Sequence, residues 1–167
     1  MKIERTLPQF QEEKALLIVA GEHVARFYAA ASGRIEELEI FRIQNPQYTD
    51  REGFFKKTIG KQELGSGSVY EPKKRYMESK FFQKFREEIK RINRSYDFST
   101  IYIFYPEFLS KEMERFLPKG HYQVRSRIMG NFIQEHPFKL LAKIKEEMAK
   151  REVEPVRGDV NKLLRKE

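Results

Sequence analysis

Two sets of residues in this 167-residue chain have types and spacings that bear on chemistry. The first is a run of cations: residues 55–94 hold twelve Lys/Arg against five Glu, which places net +7 of the chain's +8 in this one stretch. Lys61, Lys73, Lys74, Arg75, Lys80, Lys84, Lys90, Arg91 and Arg94 are the candidate contacts to a polyanion. Such contacts position a nucleic acid without reading its sequence. Helical geometry prevents all of them from sharing one face, so some must be solvated bystanders. The second set is the loop Gly65-Ser66-Gly67-Ser68 with Gln62 just before it. Glycine freedom lets a backbone come close to a ligand, and Gln62, Ser66 and Ser68 are the side chains a hydrolase of an RNA-linked ester would draw on. The plain alternative is a loop and a solvated helix face with no ligand.

Other chemistries find little support. The chain has no Cys, which removes disulfides, thiolate metal sites and cysteine nucleophiles together and fits a reducing compartment. His23, His121 and His136 stand in three separate turns or strand ends, without the spacing of a metal pair. A two-metal nuclease needs carboxylates on adjacent central strands. The two most apolar stretches, Leu16–Ala20 and Ile101–Tyr105, contain none, and Glu22, Glu78 and Glu107 are the nearest acids. Neither a phosphate-binding Gly-Lys-Ser/Thr run nor a strand–Gly-x-Ser-x-Gly–helix elbow occurs, and Ser66 and Ser68 have no identifiable base. No catalytic residue, metal or cofactor is therefore assigned.

These residues must be positioned by a fold. A hydrophobic fraction of 40% and fourteen Phe suit one globular domain, with residues 1–13 as a polar arm, 14–150 as the core and 151–167 as a charged tail. The N-terminus lacks an apolar signal core and no apolar run approaches membrane-spanning length, so the expectation is a cytoplasmic protein without a membrane partner. Ala15–Ala20 is a continuous apolar run, as expected of a strand buried on both faces. Turns at Gly21-Glu22 and Ser32-Gly33 then lead into strands Val24–Ala30 and Arg34–Ile43. The alternation of the last is broken between Ile35 and Leu38, where a bulge fits. Residues 44–69 form a long polar connection in which Gly60–Val69 should be more mobile than its flanks.

A long helix follows, with Met77, Phe81, Phe82, Phe85, Ile89 and Ile92 on one face at spacings of three and four. Ile101–Tyr105 reads as a second buried strand. A helix over Glu107–Leu117 should bury Phe108, Leu109, Met113 and Phe116. Tyr122–Met129 reads as a strand with one wet face, and a last helix from His136-Pro137 carries Phe138, Leu141, Ile144 and Met148. Three antiparallel strands followed by right-handed crossovers give an α/β chain with a ribonuclease H-like five-stranded mixed sheet, in the order β-β-β-α-β-α-β-α, with helices on both faces. Ala15–Ala20 and Ile101–Tyr105 should be its central neighbours.

Residues Leu16–Ala20, Gly21-Glu22-His23, Ala25-Arg26-Phe27 and Gly33–Phe41, the unit Ile101–Pro118 and the unit Gln123–Ile144 together resemble a known group. They are similar to host attachment protein-type sequences, distant relatives of the middle domain of archaeal and eukaryotic class-I peptide chain release factors. The resemblance covers residues 14–148. It implies a ribosome or other RNA as partner. In release factors a Gly-Gly-Gln loop precedes the long basic helix; here Gly65-Ser66-Gly67-Ser68 stands in that place, Gln62 comes before the glycines, and no Gly-Gly-Gln occurs. The sequence thus leads to an RNA- or ribosome-binding domain, with two alternatives. One is a hydrolase of peptidyl-tRNA or a similar RNA-linked ester; the other is an interaction module for an acidic protein. Oligomeric state is left open by the sequence.

Overall fold

The computed structural model describes residues 1–44, 70–117 and 120–163, and of residues 70–73 and 152–163 the backbone alone. Strands β1 (Ala15–Ala20), β2 (Val24–Ala31), β3 (Arg34–Arg42), β4 (Thr100–Tyr105) and β5 (Gln123–Met129) form one sheet in the order β3-β2-β1-β4-β5. β1, β2 and β3 are an antiparallel meander, and β4 and β5 run parallel to β1. Every residue of β1 and of β4 is buried, and the two strands are neighbours at the centre, as their unbroken apolar character requires.

Helices cover both faces. α1 (Tyr70–Tyr96) and α2 (Ser110–Phe116) lie on one, and α3 (Pro137–Leu163) lies on the other. All six apolar positions expected on α1 are buried, and Phe81, Phe82, Phe85, Ile89 and Ile92 share one cluster with Leu16, Ile18, Phe27, Ile101 and Ile103 of the sheet. On the opposite face Leu140, Leu141 and Ile144 of α3 pack on Leu17, Val19, Tyr28, Tyr102 and Phe104. α3 is helical through Leu163, into the charged segment that composition alone marks as a tail. Residues 1–13 are more than a polar arm. Ile3 and Phe10 are buried, and the segment wraps the β2–β3 hairpin through Ile3 N–H to Gly33 O and Gly33 N–H to Gln9 O. That hairpin turns on Ser32 and Gly33, both at positive φ, as a two-residue type I′ turn demands.

The bulge expected in β3 is present, and three other expectations need correction. The break in β3 is a bulge at Leu38: Phe27 faces Glu39 while Tyr28 faces Glu37, leaving Leu38 without a partner on β2. Beyond it the alternation inverts. Phe41 is therefore buried beside α1, and Ile40 is half-exposed. Phe108 does not join the apolar face of α2, because Glu107–Leu109 is a 3-10 turn that puts it out of phase with Leu109 and Met113; it is largely exposed. Met148 is exposed on α3, where Leu140, one turn before Ile144, supplies the apolar contact instead. β5 begins at Gln123, one residue later than Tyr122.

Burial of aromatic hydroxyls gives the fold an alkaline limit. Tyr28 is buried on the α3 face, which pushes its phenol from 10.0 up to about 12, although the Arg26 guanidinium beside the ring pulls the other way. Burial raises Tyr102 and Tyr122 in the same direction. Each stays neutral in the fold while the unfolded chain ionises first. Their contribution is thus whole below pH 10 and is lost for Tyr28 between pH 10 and about 12. Stability should fall there by about 1.4 kcal/mol per pH unit for Tyr28 at its steepest. Tyr28→Phe should flatten that fall in urea melts run from pH 9 to 12; an unchanged slope would contradict the assignment.

Candidate nucleic-acid interface

α1 presents its charges in the complement of its buried stripe. Met77, Phe81, Phe82, Phe85, Ile89 and Ile92 face the sheet, while Lys74, Arg75, Lys80, Lys84, Arg86, Lys90, Arg91 and Arg94 are exposed. The helix is amphipathic because its apolar residues recur at spacings of three and four and its cations fill the remaining positions. It sits firmly: Phe81 lies 5.4 Å from Phe41, Phe85 lies 6.1 Å from Phe27, and Phe82 stacks on Phe116 of α2 at 4.6 Å. A charged face fixed to a core in this way can hold a polyanion without first being ordered.

The exposed cations fall into two groups. In the first, one is ion-paired on the protein, one lies over a core ring, and one lines a cleft with acids. Arg91 donates to Glu88 at 2.8 Å and to Glu39 of β3 at 2.9 Å. The Glu88 hydrogen bond, with Glu39 adding to it, holds the guanidinium still more firmly protonated. The bulge at Leu38 is what turns Glu39 toward the α1 face, so the same irregularity that buries Phe41 gives Arg91 its partner. Lys84 Nζ lies 5.2 Å over the Phe41 ring. Lys74 lines a cleft of about 220 Å³ at the end of the sheet with Glu22, His23, Glu78, Phe108 and Leu109.

The second group is free of carboxylate partners among the described residues: Arg75, Lys80, Arg86, Lys90 and Arg94. Lys80 lies 4.6 Å over Tyr76, an exposed ring and so a surface aromatic rather than a core residue. Arg75, Arg86, Lys90 and Arg94 follow at spacings of eleven, four and four, which at 3.6 residues per turn keeps them on one outward side. Arg86 was not among the candidates drawn from the sequence, yet its spacing from Arg75 and Lys90 carries the signal that marks it.

A second cleft, of about 300 Å³, opens along this side between α1 and α2, lined by Ser79, Gln83, Arg86, Glu87, Lys90 and Phe116. The Gln83 amide donates to Glu87 at 3.2 Å. Arg115 places its guanidinium carbon 5.3 Å from the Phe116 ring centre.

Of the remaining candidates, Lys61, Gln62, Gly65, Ser66, Gly67 and Ser68 lie outside the described residues, as does the mobility expected of Gly60–Val69. Lys73 belongs to the first turn of α1, with its side chain outside the described set. Of the three acids nearest the apolar strands, Glu22 and Glu78 line the cleft at the sheet's end and Glu107 does not. Among the described residues no group of three or more His, Asp or Glu gathers to hold a metal ion, and no helix is long and apolar enough to cross a membrane.

No protein-family model matches the chain, and no curated protein matches it in sequence. Among solved structures, a model of ribosome-bound archaeal Pelota and ABCE1 is similar over 90% of this chain and 40% of its own, at 15% identity and a TM-score of 0.42. The archaeal translation termination factor aRF1 is similar over 87% of this chain and 42% of its own, at 13% identity and a TM-score of 0.43. The chain thus spans well under half the length of either.

Proposed function

We propose that this chain is an RNA- or ribosome-binding domain that docks through the outward side of α1, and that it binds there without catalysing a reaction. One observation carries the reading. The two long helices pair their cations to different extents: on α3, three of the five cations with described side chains, Lys139, Lys143 and Lys150, are ion-paired, to Glu135, Glu146 and Glu147, whereas on α1 only Arg91 of eight is. On α1, Arg75, Lys80, Arg86, Lys90 and Arg94 have no carboxylate partner among the described residues. An ordinary solvated helix gains from interleaving its charges, as α3 does. Unneutralised cations fixed on one side are a standing attraction for a polyanion. The ribosome enters as the partner from the sequence resemblance, and the missing Gly-Gly-Gln favours binding over ester hydrolysis.

Co-sedimentation with ribosomes, together with a shift assay on labelled RNA, tests this. The chain should bind at low salt and be released steeply as salt rises, because each phosphate contact releases counterions. A chain that neither sediments with ribosomes nor shifts RNA at low salt would sink the reading.

A further inference from the structure

We infer that the cleft between α1 and α2 is a seat for one nucleotide of a single-stranded RNA, in which Arg86 and Lys90 hold the phosphate; this rests on the reading above and assigns it a place and a substrate class. Arg86 and Lys90 stand one turn apart, so their heads approach the same or successive phosphates, about 6 Å apart along the helix axis. Both line the cleft. Its volume of about 300 Å³ is enough to take a nucleotide. The far wall comes from α2, where Phe116 gives an apolar boundary and Arg115 lies over its ring. Aromatic rings and guanidinium planes accept unstacked bases, which a duplex does not offer.

Ser79 and Gln83 add neutral polar groups on the α1 side, and the Gln83 amide already donates to Glu87. Among the described residues Glu87 is the one acid that lines the cleft, and its charge opposes a phosphate. That gives the proposal a variant whose effect is a gain. Misfolding cannot imitate it.

The test uses the full chain and a fluorescein-labelled twelve-nucleotide oligouridylate, with a blunt RNA duplex as comparison, titrated over a range of salt. Glu87→Gln should tighten oligouridylate binding several-fold. Arg86→Ala with Lys90→Ala should weaken it and make the log–log salt slope shallower by about 1.4, two contacts at about 0.7 each. Lys145→Ala, exposed on α3 across the sheet, should change neither. The duplex should bind more weakly than the single strand. If the parent binds the oligonucleotide while the double variant keeps its slope and Glu87→Gln gains nothing, the cleft is not the seat, and the interface lies elsewhere on the chain. Equal binding of duplex and single strand would overturn the substrate class. A parent that binds neither RNA nor ribosomes overturns the wider reading with it.

Discussion

Phe85→Ala should cost about 3–5 kcal/mol of stability, the range for truncating a buried phenylalanine. Phe85 is fully buried, with its ring 6.1 Å from Phe27, 5.8 Å from Phe81 and 6.4 Å from Phe82. It therefore stands where α1, the meander and the rest of the aromatic cluster meet. Alanine would leave a ring-sized void among other rigid rings, which collapse poorly into it. Against a typical stability of about 5–15 kcal/mol, that loss brings the domain near its unfolding threshold at room temperature. Urea melts followed by circular dichroism give the number directly, and the absence of cysteine keeps disulfide exchange out of the refolding arm. A loss under about 1 kcal/mol would mean that α1 does not seat on the sheet through this ring. The consequence reaches function, because the outward cations are held in place only as well as the buried stripe holds the helix.

How far the sequence foretold this arrangement depends on whether a feature is periodic or tertiary. The stripe on α1 was legible because six apolar residues recur at helical spacing over four turns, and nothing else in the chain competes with that period. The central strands were legible for the opposite reason: Ala15–Ala20 and Thr100–Tyr105 do not alternate, and a strand without alternation must be covered on both sides. The bulge was half legible. A break in β3 shows in the sequence, but only its pairing with β2 tells that Leu38 is the extra residue and that Phe41, not Ile40, turns inward.

The site itself was legible as charge and illegible as geometry. Arg91 counts as one more cation until Glu39, 52 residues away, is brought to 2.9 Å by that same bulge. Lys84 looks free until the inversion beyond the bulge sets Phe41 beneath it. Arg86 gains its importance from Phe116, which reaches the cleft only because the α2 crossover returns beside α1. None of these contacts is periodic, so no spacing rule recovers them.

Sorting the cations in this way makes the charge-reversal experiment sharper than a count of lysines would. Reversing Arg75, Lys80 and Arg94 to Glu should cut RNA binding at low salt by orders of magnitude. It should also make the log–log salt slope shallower by about 2, three contacts at about 0.7 each for a single strand. These three are exposed and, among the described residues, have no carboxylate partner, so the fold should survive their reversal. The comparison is a second triple of the same charge, Lys74, Lys84 and Arg91 to Glu. Arg91 is already paired with Glu88 and Glu39, Lys84 lies over Phe41, and Lys74 lines the cleft at the sheet's end with Glu22 and Glu78. Their reversal changes net charge by the same amount but includes Arg91, whose charge two carboxylates already offset, and Lys84, held over a core ring, so its effect on RNA should be the smaller. It should instead lower the melting temperature, since Glu at position 91 would face two carboxylates. If both triples weaken binding equally, with the fold intact, RNA responds only to net charge and the outward side of α1 is no defined interface. If the second triple alone abolishes binding, the contact surface runs along β3 and the end of the sheet, where Lys74 and Lys84 stand, and the docking side proposed for α1 is wrong.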